Sequence, residues 1–158
     1  MASSQKNLSD FSTQGVESAG QFRYGFVVSE WNEEVTESLY SGALQTLKDQ
    51  GVPKENIERV NVPGSFELSL GAQKLAQRED LDAIICLGCV IRGETPHFDF
   101  ICDAVAHGIT NVGLKYDKPV IFGVLTTNDA KQAMERAGGK HGNKGDEAAI
   151  TAIKMLMI

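Results

Sequence analysis

The stretch Asp82–Val90, DAIICLGCV, running straight into Ile91–His97, IRGETPH, decides the fold. Its apolar core, Ala83 to Ile91, is nearly unbroken and ends at a Gly-Glu-Thr-Pro turn. A strand covered by helices on both faces has this pattern, because neither face meets water and no polar alternation is needed. The run is far too short to cross a bilayer.

Working outward, Phe22–Ser29 (FRYGFVVS) carries Phe22, Tyr24, Phe26 and Val28 at period two and predicts a strand. Val35, Leu39, Ala43 and Leu47 form one stripe of a helix over Glu33–Gln50, which Gly51 and Pro53 stop. Ile57–Val62 reads as a short strand and Phe66–Arg78 as a helix. Downstream, Ile101, Val105, Ile109 and Val112 predict a helix over His97–Leu114. Pro119–Leu125 is another buried strand, and helices over Asp129–Ala137 and Asp146–Met157 close the chain. Strands alternating with helices at this spacing pair in parallel through right-handed crossovers. The expectation is an α/β three-layer sandwich: a four-stranded parallel sheet, flavodoxin-like, with helices on both faces.

Composition bounds the function. The chain has 158 residues, 42% of them hydrophobic, which suits one domain over residues 21–158. Fifteen Lys plus Arg against 21 Asp plus Glu give a formal charge of −6, a poor match for a nucleic-acid backbone. Three cysteines make no disulfide framework and point to a reducing compartment, the cytoplasm. Residues 1–20 (MASSQKNLSDFSTQGVESAG) lack both the apolar stretch of a secretory signal and the arginines of a transit peptide. They are expected to be a flexible tail or an arm that orders against another subunit.

In an open parallel sheet, ligands bind beyond the carboxyl ends of the strands. Four segments should gather there: Glu30–Asn32, Pro63–Glu67, Ile91–His97 and Thr126–Asn128. Trp31, the only tryptophan, is either a stacking platform for a flat heterocycle or a packing lid. His97, at a helix start, reads as a cap, a core histidine or a proton-transfer group. Arg92–Thr95 offers an anion backbone N–H groups, a hydroxyl and a guanidinium, although Glu94 opposes it. Cys86 and Cys89 have C-x-x-C spacing, but on a strand they face opposite sides, and no second ligand pair accompanies them, so no metal is expected. Gly138–Gly145 (GGKHGNKG) is not G-x-x-x-x-G-K-[ST] and links two helices, so it reads as an interhelical turn.

Four segments carry a family resemblance: VPGSFELSLGAQKLA, LDAIICLGCVIRGETPHFDFICDAVAHGI, PVIFGVLTT and QAMERAGGKHGNKGDEAAITAIKM. In this order and at these separations they resemble the lumazine synthases, over residues 22 to 157. The resemblance implies a transferase that condenses 5-amino-6-(D-ribitylamino)uracil with 3,4-dihydroxy-2-butanone 4-phosphate. The products are 6,7-dimethyl-8-ribityllumazine, phosphate and water, in the penultimate step of riboflavin biosynthesis, without metal or organic cofactor.

Carried over by position, the resemblance makes Trp31 the ring that stacks on the pyrimidine and Asn32 a polar contact beside the ribityl chain. Ser65, Phe66 and Glu67 hold the pyrimidine and ribityl hydroxyls, while Cys89, Val90 and Ile91 meet the ring edge. Glu94 and Thr95 stand at the phosphate-side turn, and His97 at the proton-transfer position. Phe122, Arg136 and Lys144 reach in from a neighbouring subunit, with Arg136 on the phosphate and Glu147 placed to orient it. The family forms pentamers, some assembled into icosahedral shells of sixty subunits, and riboflavin synthase enters as a partner. The compact GGKHGNKG resembles shell-forming members. Two other readings share this folded unit: a non-catalytic flavin- or lumazine-binding shell, and a related riboflavin synthase. Thr95 and Arg136 weigh against the second, whose substrate has no phosphate.

Overall fold

The computed structural model describes Asn7, Ser9, Asp10 and residues 18–158. Four strands form one parallel sheet: β1 (Tyr24–Ser29), β2 (Ile57–Val62), β3 (Ala83–Ile91) and β4 (Val120–Thr127), in the order β2-β1-β3-β4. Between and after them come α1 (Glu33–Asp49), α2 (Leu68–Ala76), α3 (His97–Tyr116), α4 (Ala130–Met134) and α5 (Lys144–Met155). Strand alternation splits the core in two. Phe26, Ile85 and Leu87 pack with Leu39 and Leu47 of α1 and Ile153 of α5. On the other face Val27, Ile84 and Val124 pack with Leu68 of α2 and with Val105 and Ile109 of α3. These are the expected three layers.

The strand order reverses between β1 and β3: one crossover leads outward to β2, and the chain then continues on the far side of β1. A crevice opens at such a switch point, because the two crossovers diverge from the strand ends. The carboxyl ends of β1 and β3 are therefore side by side.

Most boundaries agree with the periodicity to within two residues. The helix expected over Asp129–Ala137 is the exception, ending three residues early at Met134, and Phe66–Arg78 begins as a 3₁₀ turn at Ser65–Glu67 before α2. The Gly138–Gly145 linker also differs from the expected turn. It folds as an antiparallel ribbon of β5 (Ala137–Gly139) and β6 (Gly142–Asn143). Gly138 and Gly142 have φ of 103° and 83°, which only glycine adopts freely. The ribbon shortens α4 to end at Met134, and Asn143 caps α5 by accepting the Gly145 N–H at 2.8 Å.

Most of the segment 1–20, expected to be a flexible tail, lies outside the described residues. Of the described ones, Ala19 is buried and its carbonyl accepts the Tyr24 hydroxyl at 3.2 Å. Ser9 donates through Oγ to Asp146 Oδ2 at 2.5 Å and accepts the Asn143 N–H at 3.0 Å.

Cys86 and Cys89 do face opposite layers, and burial pushes their thiols up to about 12 and about 11. Among the described residues there is no cluster of metal-ligating side chains, and no helix is long and apolar enough to cross a membrane.

Candidate active site

Each wall of the crevice is the end of a strand. After β1, the Glu30 and Trp31 N–H groups donate to Val62 and Pro63 carbonyls at 2.8 and 3.1 Å, extending the ladder past the strand. Trp31 is 72% exposed, so it is no packing lid within this chain. Asn32 follows in the left-handed region, φ 60° and ψ 46°, and its amide donates to the Cys89 carbonyl at 2.9 Å.

After β2, the 3₁₀ turn presses Ser65 against β3. Its hydroxyl lies 3.5 Å from the same Cys89 carbonyl. This close approach requires Gly88, where a Cβ would come within 2.7 Å of Ser65 Oγ and 2.8 Å of Leu68 Cδ1. Phe66 is half exposed, and Glu67 is half-buried beside it.

After β3, the turn Arg92–Pro96 is exposed and held at its ends. The Arg92 N–H donates to Thr127 O at 2.8 Å. Its guanidinium pairs with Asp99 at 2.9 Å and stacks 4.2 Å from the Phe98 ring centre. The turn thus delivers His97, the first residue of α3, exposed at the cleft, with its N–H 3.5 Å from Thr95 Oγ.

Together these ends enclose a cleft of about 630 Å³. It brings together Trp31, Asn32, Ser65, Phe66, Glu67, Cys89, Val90, Ile91 and His97, with Gly64 and Ile101 completing the lining. Ile101 is the residue that the sequence reading did not place at the site. Its signal was the four-residue spacing from His97, which puts both on one face of α3. The segment Thr126–Asn128, expected at the site, contributes no lining residue and instead braces the Arg92 turn.

The remaining candidates lie elsewhere on the chain. Glu94 and Thr95 sit on the exposed turn beside the cleft. Phe122 and Lys144 line a second cleft, of about 740 Å³, between α3, β4 and α5, which shares no residue with the first. Arg136 lines neither and donates to Gln132 O at 2.9 Å. Glu147 pairs with Lys144 at 2.6 Å, not with Arg136 as expected. Spacing explains this: Lys144 and Glu147 are three apart on α5 and share a face, while the Arg136 guanidinium is turned back onto Gln132 O.

Chemically, the first cleft combines a flat exposed ring, an apolar floor, a carboxylate and an imidazole. That set suits a planar heterocycle with a hydroxylated side chain and a reaction that moves protons.

Comparison with known proteins agrees. The family profile described as 6,7-dimethyl-8-ribityllumazine synthase matches residues 21–158. A protein of that name from Cytophaga hutchinsonii is 64% identical over 156 residues, 99% of this chain and 98% of its own. Its namesake from Parabacteroides distasonis is 54% identical over 99% of this chain and 98% of its own, and that from Flavobacterium johnsoniae 54% over 100% and 83%. With one profile spanning the domain and such identity along nearly the whole length, the chain belongs to the 6,7-dimethyl-8-ribityllumazine synthase family.

Proposed function

We infer that this chain is a transferase that joins 5-amino-6-(D-ribitylamino)uracil to 3,4-dihydroxy-2-butanone 4-phosphate. It releases 6,7-dimethyl-8-ribityllumazine, phosphate and water, in riboflavin biosynthesis. The observation that carries this reading is the convergence of Trp31, Glu67 and His97 on one cleft at the β1/β3 switch point. Trp31 offers the pyrimidine a face to stack on, and Cys89–Ile91 lie along its edge. The half-buried Glu67 carboxylate accepts hydrogen bonds from ribityl hydroxyls.

The aromatic amine attacks the ketone and water leaves, giving an imine. Phosphate is then eliminated, the enol left behind becomes a carbonyl, and the second amine closes the ring on that carbonyl with loss of a second water. Both reactants are intrinsically reactive, so much of the acceleration comes from holding them together, worth about 7–11 kcal/mol at best. His97 passes protons during imine formation and elimination, as an imidazole can near neutral pH. Thr95 and Arg136 receive the phosphate, Arg136 through a planar fork of donors.

One site then draws on two subunits. What supports this is the separation of the clefts: Phe122 and Lys144 line a surface remote in composition from that of His97. That second surface is partly apolar, with Leu114, Met155 and Ile158 exposed along it, as an edge covered by a neighbour would be. The assembly is a pentamer, and the compact ribbon favours twelve pentamers in a sixty-subunit shell that serves riboflavin synthase as a partner. Sedimentation velocity at micromolar protein is expected to give the shell, whereas a lone pentamer rules it out. The three unpaired cysteines fit the cytoplasm.

The direct test mixes both substrates with purified protein and follows lumazine fluorescence and inorganic phosphate. The two products are expected to rise in equal amounts. Binding of lumazine without turnover marks a non-catalytic shell, and conversion of lumazine to riboflavin marks a riboflavin synthase.

A further inference from the structure

We propose that Asn32 is a positioning residue that fixes the plane of the Trp31 ring over the cleft floor, instead of contacting substrate through its amide N–H. The inference rests on the functional reading above. Four features carry it.

Asn32 is one of two non-glycine residues at positive φ among the described residues. A left-handed residue with a Cβ costs energy, least for Asn and Asp, so the conformation must be held by something. Asn32 also stands at the N-cap of α1, where an Asn side chain ordinarily accepts a helix N–H. Here it makes no capping bond. Its amide crosses instead to the Cys89 carbonyl at 2.9 Å, from the end of β1 to the end of β3. Finally, that carbonyl also faces Ser65 Oγ at 3.5 Å, so the loops after β1 and β2 meet on one acceptor in β3.

Trp31 depends on this arrangement. Its ring is 72% exposed, and its place is set through its backbone. On one side the Trp31 N–H is bound to Pro63 O at 3.1 Å. On the other, the chain turns through the left-handed Asn32, whose side chain is tied to the floor. With the amide cut loose, the peptide after Trp31 keeps the 3.5 Å contact of Ser29 Oγ with the Trp31 carbonyl. It also keeps the bonds from the Val35 and Thr36 N–H groups to the Asn32 carbonyl. Nothing then ties it across to β3, however, and the ring gains freedom over the cleft floor. The loss should fall on the pyrimidine and spare the phosphorylated ketone, whose anchors lie elsewhere.

The experiment uses the full chain with Asn32→Gly and Asn32→Asp. Glycine accepts the left-handed conformation and removes only the tether. Aspartate keeps shape and backbone preference but replaces the donor with a carboxylate facing a carbonyl. Because Trp31 is the only tryptophan, its fluorescence anisotropy reports the ring's freedom without a label. Both variants are expected to lower the anisotropy and raise the KM for the ribitylaminouracil about tenfold, as losing one well-made hydrogen bond does. The KM for the butanone phosphate should stay at its wild-type value. Wild-type anisotropy in Asn32→Gly overturns the proposal. A raised pyrimidine KM with unchanged anisotropy also overturns it, since Asn32 would then be touching substrate directly. If the wild-type chain makes no lumazine, the functional reading falls separately, and the anisotropy alone still decides whether Asn32 holds Trp31.

Discussion

His97→Ala lowers turnover about 10²-fold and leaves pyrimidine affinity near its wild-type value. The expectation follows from where the ring sits. His97 is exposed at the start of α3, presented to the cleft by a turn that is tied at both ends. Its removal leaves no void in either core, so the loss is of chemistry and not of folding. The stacking face of Trp31 and the Glu67 carboxylate remain, and ground-state binding with them. Single-turnover kinetics with both substrates saturating isolates the step, and titration of the pyrimidine alone measures the affinity. Wild-type turnover in this variant removes His97 from the mechanism.

Arg136→Ala raises the KM for the phosphorylated ketone about 10²-fold, the scale for losing a charge-assisted fork on a phosphate. A change confined to the pyrimidine KM contradicts the assignment. The stronger form of the experiment mixes this variant with His97→Ala after dissociation and reassembly. Each chain alone is defective. If a site takes His97 from one subunit and Arg136 from the next, random mixing makes about a quarter of the seams fully native. Assayed with the ketone near the wild-type KM, where Arg136→Ala is starved of substrate, about a quarter of wild-type activity should therefore return from two preparations that each show only about a hundredth of it. If one chain supplied both residues to a single site, mixing would restore nothing.

How legible this was in the sequence depended on the range of the interaction involved. β3 and the helices announce themselves because burial imposes a period, and a nine-residue apolar run has few other uses. Strand ends follow from topology, which is why Trp31, Ser65–Glu67, Cys89–Ile91 and His97 gather as expected. The β5–β6 ribbon was hidden because its two glycines at positive φ look, in sequence, like any turn. Ile101 was hidden by its membership of an apolar stripe: the same spacing that marks a helix masks the residue where that helix leaves the core. The Asn32–Cys89 bond and the Glu147–Lys144 pair depend on side-chain direction, which residue type does not encode.

The ribbon has a consequence for how such a chain can vary. A single backbone hydrogen bond at its base, from Lys144 to Arg136, returns the chain to the point where it left. His141 is itself tied back, its N–H on Glu135 O at 2.8 Å, so the side excursion is the exposed tip at Gly139 and Lys140: residues added there lengthen a protrusion without displacing either cation at the base. Reaction chemistry and the outer contour of the subunit become separate traits, adjustable one without the other.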